Sequence, residues 1–334
     1  MMSSLDLELA QFKLLKMIPT KFLDLKPSND DLLKDLIDGF SKAQKSVPPK
    51  YFYDARGSHL FDLITDLEEY YPARTEIQML HDFSDEISLK VGSKEVFLEP
   101  GSGSCTKAQI LFDTLRPEIY IPIDISGEHL YISARQVTQK FPWLQVHAIC
   151  ADCTKEMYLP EEYSEMSKLA FFPGSSIGNF DQLEAIRFLK TIAKLIGDGG
   201  QLLIGVDLKK NKNILVPAYA DKSGITASFN LNLLQRINTE LKGNFNLSKW
   251  THKAIYNEEI GRIEMHLIST CKQNVSIKDK HFIFEKDESI HTESSYKYSV
   301  EEFQSLGRQA GFEIDSVWVD SNKLFSLHLF KNNT

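Results

Sequence analysis

Val96-Phe97-Leu98-Glu99-Pro100-Gly101-Ser102-Gly103-Ser104-Cys105-Thr106-Lys107 is the stretch on which the fold turns. A short apolar run ends in a carboxylate and a Gly-Ser-Gly turn. Apolar side chains then follow at Ile110, Leu111 and Leu115, so the pattern predicts a buried strand feeding a helix over Thr106 to Leu115 through a glycine loop. Glycine suits a tight turn and the close approach of a ligand, because a Cβ would collide there. A lone Gly-x-Gly also fits a plain turn, so it does not by itself name a ligand.

Working outward, Ile119 to Asp124 reads as a second strand ending in a carboxylate. An acid about 20 residues beyond a glycine loop is where a ribose hydroxyl pair is held, since a carboxylate accepts from both hydroxyls. A helix from Glu128 to Phe141 leads to a strand over Gln145 to Cys150, and Asp152 at its tip suits an adenine amino group. Lys168 to Phe172, a helix from Leu183 to Ile196 and the strand Gln201 to Val206 continue the alternation. That order predicts a doubly wound α/β sheet with ligands beyond the strand carboxyl ends.

Nicotinamide dinucleotide sites use a third glycine, which Gly101-Ser102-Gly103-Ser104-Cys105-Thr106 lacks. Glu99 would repel a pyrophosphate and suits the amino acid portion or sulfonium of S-adenosylmethionine. Glu99, Gly101, Gly103, Asp124 and Asp152 together favour a Rossmann-like, class I S-adenosylmethionine-dependent methyltransferase fold over a dehydrogenase.

The chain has 334 residues, 42% hydrophobic and 25% charged, with a formal net charge of -8. That charge, with no Lys/Arg stripe, argues against nucleic acid or an anionic membrane and for a small-molecule partner. Met1 to Lys16 carries Asp6, Glu8 and Lys13 and lacks the plan of a signal peptide, and no apolar run approaches a membrane span. Cys105, Cys150, Cys153 and Cys271 are too scattered for a disulfide scaffold, which suits a reducing cytoplasm. Cys150 and Cys153 form a CxxC with no second pair, and none of the nine histidines shows metal spacing, so no metal is expected.

Ser28 followed by Asp31 resembles a helix cap, and Leu32, Leu33, Leu36, Ile37 and Phe40 recur at helical spacing. Two aromatic-rich turns follow, Lys50 to Gly57 and Leu67 to Glu76, which read most simply as a flap packed on the core. Beyond Val206 the pattern changes. A helix over Leu231 to Leu241 precedes an antiparallel pair, His252 to Tyr256 and Ile260 to Ser269, and a third run at His281 to Phe284. These predict a second, α+β lobe: residues 20–73 and 210–294, against 74–209 and 295–334 for the cofactor domain. A final helix, Val300 to Ala310, and a strand pair, Phe312 to Ile314 and Phe325 to Phe330, would close the main sheet with an antiparallel edge.

Several of these stretches share one resemblance. Lys50-Tyr51-Phe52-Tyr53-Asp54, Glu69-Tyr70-Tyr71-Pro72-Ala73-Arg74-Thr75-Glu76, Gly174-Ser175-Ser176-Ile177-Gly178-Asn179 and Ile263-Glu264-Met265 resemble the L-histidine Nα-methyltransferases that make hercynine for ergothioneine biosynthesis. The resemblance runs from about Phe40 to Phe330. It implies S-adenosylmethionine against Tyr53, Gly101, Lys107, Asp124 and the Asp152-Cys153 backbone; Cys153 departs from the family, which has a bulky residue there. It implies a histidine carboxylate held by Asn179 and Tyr219, an amine near Gly174 and Tyr53, and an imidazole among Tyr70, Met265, Glu293 and Ser295, with Ser294 between. Tyr53 is the candidate for orienting the amine, and a monomer is expected. An amide and a phenol can donate to a carboxylate, and a carboxylate plus a hydroxyl can satisfy two ring nitrogens. The rival readings are methylation of another aromatic amino acid such as a tryptophan derivative, and a non-catalytic protein that binds the cofactor or histidine.

Overall fold

A computed structural model describes residues 20–25, 29–155 and 157–333. Met1 to Lys16 and the cap at Ser28 lie outside the described residues. The strands are β1 (Thr20–Asp24), β2 (Lys45–Ser46), β3 (Val96–Pro100), β4 (Ile119–Asp124), β5 (Gln145–Cys150), β6 (Lys168–Phe172), β7 (Gln201–Asp207), β8 (Trp250–Asn257), β9 (Arg262–Ser269), β10 (Gln273–Ile277), β11 (Lys280–Phe284), β12 (Ser289–Tyr296), β13 (Phe312–Val319) and β14 (Phe325–Asn332). Eight of them form the main sheet in the order β1-β5-β4-β3-β6-β7-β14-β13. From β1 to β7 the pairings are parallel, while β14 runs antiparallel to both β7 and β13.

β3 is buried along its whole length because helices cover both faces of the sheet. Val96 and Leu98 meet one apolar core with Phe188 of α7 (Gln182–Ile196) and Phe303 of α10 (Val300–Gln309). Phe97 meets the other with Met79 of α3 (Tyr71–Asp82) and Phe112 of α5 (Gln109–Leu115). The order is that of a class I methyltransferase sheet, and its ligand end lies beyond the carboxyl ends of β3, β4 and β6.

The second lobe has a four-stranded sheet, β2-β12-β9-β8, and the hairpin β10-β11. α1 (Asn29–Phe40), α2 (Ala55–Thr65), α8 (Lys212–Tyr219) and α9 (Ile225–Leu241) pack around it. Leu32, Leu36 and Phe40 bury the apolar stripe of α1 in a core shared with Phe52, Phe229, Met265 and Trp250. Phe52 stacks on Phe229 with ring centres 4.5 Å apart, fixing the Lys50–Tyr53 turn against α9.

Four expectations are corrected. Thr20–Asp24, placed with the second lobe, pairs in parallel with β5 at the edge of the main sheet. The helix after the glycine loop begins at Gln109 rather than Thr106, because Gly101, Gly103 and Cys105 all take positive φ and hold the chain in turns until then. The second aromatic turn winds into α3 from Tyr71, with Pro72 in its first turn, where a missing N–H costs nothing. The lobe helix starts at Ile225, six residues earlier than its apolar spacing indicates, because Asp221 accepts from the backbone N–H of Ile225 and Thr226.

Candidate functional site

At the cofactor end, Gly101 and Gly103 have φ of +66° and +50°, which favours glycine. The turn brings the Gly103 amide 2.9 Å from Asp124 Oδ2, while Oδ1 accepts from Ser126 N at 2.8 Å. Burial raises the Asp124 carboxyl above its usual range, and those two amides oppose it. A carboxylate offers about four acceptor positions, so two donors leave room for a pair of ribose hydroxyls. Glu99 is 1% exposed, with the Tyr120 hydroxyl donating to it. Burial pushes its carboxyl up to about 8.

Asp152 follows β5 as expected. Its Oδ1 accepts from Thr154 N at 3.0 Å, and its Oδ2 pairs with Lys50 Nζ at 3.2 Å, which ties the Lys50–Tyr53 turn to the cofactor end of the sheet. Cys153 packs against the core under that end, and burial, with the charges of Asp124 and Asp152, pushes its thiol up to about 12. It is a neutral filler at working pH. Lys107 reaches Glu76 Oε2 at 2.6 Å, and the same buried carboxylate accepts from Gly174 N at 2.8 Å. A Cβ on Gly205 of β7 would meet Glu76 Oε1 at 1.9 Å, so this glycine makes room for the carboxylate. Glu76 thus joins two residues expected in the site, Lys107 and Gly174, though no role was read for it.

At the substrate end, β9 and β12 set Met265 directly opposite Glu293, after a register shift between His291 and Glu293. Burial pushes the Glu293 carboxyl up to about 7, opposed by the Lys297 charge. Tyr219 OH lies 2.8 Å from Ser295 Oγ, and the Tyr70 and Tyr219 rings meet edge to face at 6.1 Å. Asn179 ends a one-turn helix, Ser176–Asn179, that presses on β12. Only glycine allows that contact at 178, where a Cβ would lie 2.8 Å from Tyr296 O and 3.4 Å from Ser295 Oγ. Asn179 and Glu293 line one cleft of about 400 Å³.

Tyr53 connects the two ends. Burial drives its phenol well above its ordinary range, and the charges of both Glu293 and Asp124 push it further the same way. Tyr53 packs against the core that holds Tyr70, Tyr219 and Met265, while Glu293 faces Met265 and Ser295 reaches Tyr219. Ser294 does not join them with its side chain: strand alternation turns its hydroxyl to His291 Nε2, 3.2 Å away.

Sequence reasoning missed a buried polar network between the lobes. Asp207, the last residue of β7, accepts from Tyr71 OH at 2.8 Å and pairs with Lys210 at 2.5 Å and Lys297 at 2.6 Å. Burial pulls its carboxyl up, but the two lysines outweigh that and hold it below the usual range. Strand alternation from Glu293 and Ser295 to Lys297 was the available signal. Glu264, His266 and His291 also meet, with one ligand atom of each within 4.8 Å of the others, although no linear spacing announced them. The Arg262 guanidinium is 2.7 Å from Glu264 and already neutralises it.

Comparison with known proteins follows the same lines. The profile of a family described as histidine-specific methyltransferase, SAM-dependent, matches residues 32–332. The chain is 36% identical to the histidine N-alpha-methyltransferase of Mycolicibacterium smegmatis, over 92% of this chain and 97% of that one. It is 32% identical to ergothioneine biosynthesis protein 1 of Neurospora crassa, over 85% of this chain and 33% of the larger one. The 4-dimethylallyltryptophan N-methyltransferase easF of Claviceps purpurea is 24% identical, over 87% and 92%. With the glycine turn fixed on Asp124, Met265 set opposite Glu293, and a family profile matching residues 32–332, the chain belongs to the histidine-specific, S-adenosylmethionine-dependent methyltransferases.

Proposed function

We propose that this enzyme places three methyl groups in succession on the α-amino nitrogen of L-histidine, giving hercynine on the way to ergothioneine. The observation that carries the reading is the family profile over residues 32–332, together with the core that gathers Tyr53, Tyr70, Tyr219 and Met265, the last directly opposite Glu293. Residues 74–209 and 295–334, joined by Thr20–Asp24, would hold the cofactor. The rest of the described chain, with Asn179 and with Ser295 of the strand Ser289–Tyr296, would hold the amino acid, and the enzyme would act as a monomer in the cytoplasm.

Asp124 would accept from the ribose hydroxyls, the Gly101–Gly103 backbone would lie along the amino acid portion, and Lys107, fixed by Glu76, would face its carboxylate. Bound S-adenosylmethionine supplies a methyl group already activated on a sulfonium. The protein's task is then to hold a neutral amine in line, and such approximation supplies about 7–11 kcal/mol of barrier reduction. Asn179 and Tyr219 would donate to the histidine carboxylate. Glu293 and Ser295 would satisfy the two ring nitrogens while Met265 closes the floor. Among the described residues no side chain stands out as the base for the ammonium proton, which would pass to water, and Tyr53 would orient the nitrogen. A second polar partner for the ring distinguishes imidazole, with two ring nitrogens, from indole, with one.

Incubation of the enzyme with histidine and S-adenosylmethionine, followed by mass spectrometry, should show a product heavier by three methyl groups. No such gain, or faster methylation of tryptophan derivatives in the same panel, would overturn the reading.

A further inference from the structure

The Lys297 side chain is fully enclosed, and its ammonium lies 2.6 Å from Asp207 Oδ2, 2.9 Å from Tyr219 OH and 2.9 Å from Ser295 Oγ. We propose that Lys297 is a positioning residue for the amino acid substrate: by donating to Tyr219 and Ser295 together, it leaves that pair one outward proton to give the substrate and one outward lone pair with which to accept from it. The inference deepens the proposed function and rests on it.

The argument is a proton count. An ammonium has three protons and no lone pair, so three contacts use it completely and none is left for a substrate. Both hydroxyl oxygens accept from Lys297, so neither can donate back to it. They lie 2.8 Å from each other, and one of their two protons must occupy that contact. The other must point out of the triangle. A substrate carboxylate on the Tyr219 side accepts that outward proton. Ser295 then donates to Tyr219 and keeps a lone pair for a ring N–H. The triangle thereby presents one donor toward the carboxylate and one acceptor toward the ring.

Asp207 anchors the arrangement. Its other oxygen is held by Lys210, and Tyr71 donates to it, so the carboxylate keeps partners if Lys297 is removed. Lys297 also bears on Glu293 and is the charge that holds its carboxyl down; Tyr53, Tyr70 and Tyr219 also face that carboxyl, and Asp35, Asp38, Lys42, Glu184 and His291 line the same cleft. One cation therefore organises both ends of the site without touching the ligand.

The test is calorimetric binding of histidine and of S-adenosylhomocysteine to wild type, Lys297→Met, Tyr219→Phe and the double variant, repeated across pH. Lys297→Met should weaken histidine about tenfold or more, in line with a charge-assisted hydrogen bond, and leave S-adenosylhomocysteine within about twofold. On the Tyr219→Phe background the same change should cost much less, because the two act through one contact. The acid limb of histidine binding should also move to higher pH, since Glu293 loses its counter-charge. Should Lys297→Met fail to fold, Lys297→Gln, which keeps two donors, should bind histidine between wild type and Tyr219→Phe. Equal histidine binding, additive losses in the double variant, or parallel loss of both ligands would overturn the proposal. Failure of wild type to bind histidine would instead overturn the functional reading beneath it.

Discussion

Met265 and Glu293 face each other across β9 and β12, and the bulge just before Glu293 brings them into register. Thr292, the bulged residue, donates to Met265 O at 3.1 Å and holds the kink in place. A bulge re-aims the side chain that follows it, here setting the Glu293 carboxylate opposite the buried Met265. Glu293→Ala removes a charged acceptor from the imidazole and should weaken histidine binding about 10- to 100-fold. Cofactor binding should hardly change. Comparable losses for both ligands in calorimetry would contradict the placement.

Gly178→Ala tests the Asn179 turn. The added Cβ would lie 2.8 Å from Tyr296 O, so the turn must lift from β12. Overpacking of this kind costs about 1–3 kcal/mol, and the displacement moves Asn179 away from the carboxylate it would hold. Histidine KM should rise with little change for S-adenosylmethionine. An unchanged KM would show that Asn179 does not set the carboxylate's position.

The main sheet was legible because parallel strands buried on both faces read as unbroken apolar runs, and Lys168–Phe172 matches its expected bounds to the residue. Thr20–Asp24 was not legible, because Thr-Lys-Phe-Leu-Asp lacks an alternating or continuous apolar pattern and gains its place only by pairing with β5. In the site, Asp124 followed from its strand tip, whereas Tyr219 and Glu293 came only through resemblance, since nothing local marks them. Asp207, Lys297 and Glu76 escaped because a buried ion pair is visible only when distant strands meet. The internal glycine of Leu203-Ile204-Gly205-Val206 was the one local hint of Glu76.

Glu99→Gln should change how stability depends on pH. Burial raises the folded-state pKa of Glu99 to about 8, with Tyr120, Lys107, Asp124, Glu76 and Cys105 as its charged or polar neighbours. A raised folded-state pKa means that the contribution is fully present below the unfolded value, about 4.5, and is lost as pH rises through about 8. Ligand-free wild type should therefore lose stability relative to Glu99→Gln across that window, by at most about 1.4 kcal/mol per pH unit. Glutamine keeps an acceptor for Tyr120, so the comparison isolates the titration. Parallel melting curves at every pH would show that folding does not raise the pKa of Glu99.

Tyr53→Phe decides what the phenol does. A residue between the donor cradle and the amine invites the role of base, but a base must give up its proton near working pH. Burial first, then the charges of Glu293 and Asp124, push the Tyr53 hydroxyl well above its ordinary value, away from the working range. What it offers is a fixed dipole and a hydrogen-bonding oxygen whose ring is wedged against Phe61 and Phe229, with centres 5.7 Å and 5.8 Å away. Phenylalanine keeps those ring contacts and removes only the oxygen. Turnover should fall about tenfold or more with KM for both ligands nearly unchanged, because the lost contact orients the amine. The pH–rate profile should keep its shape. If the variant instead loses the alkaline limb, the phenol titrates in the working range after all, and Tyr53 is the proton acceptor that the geometry argues against.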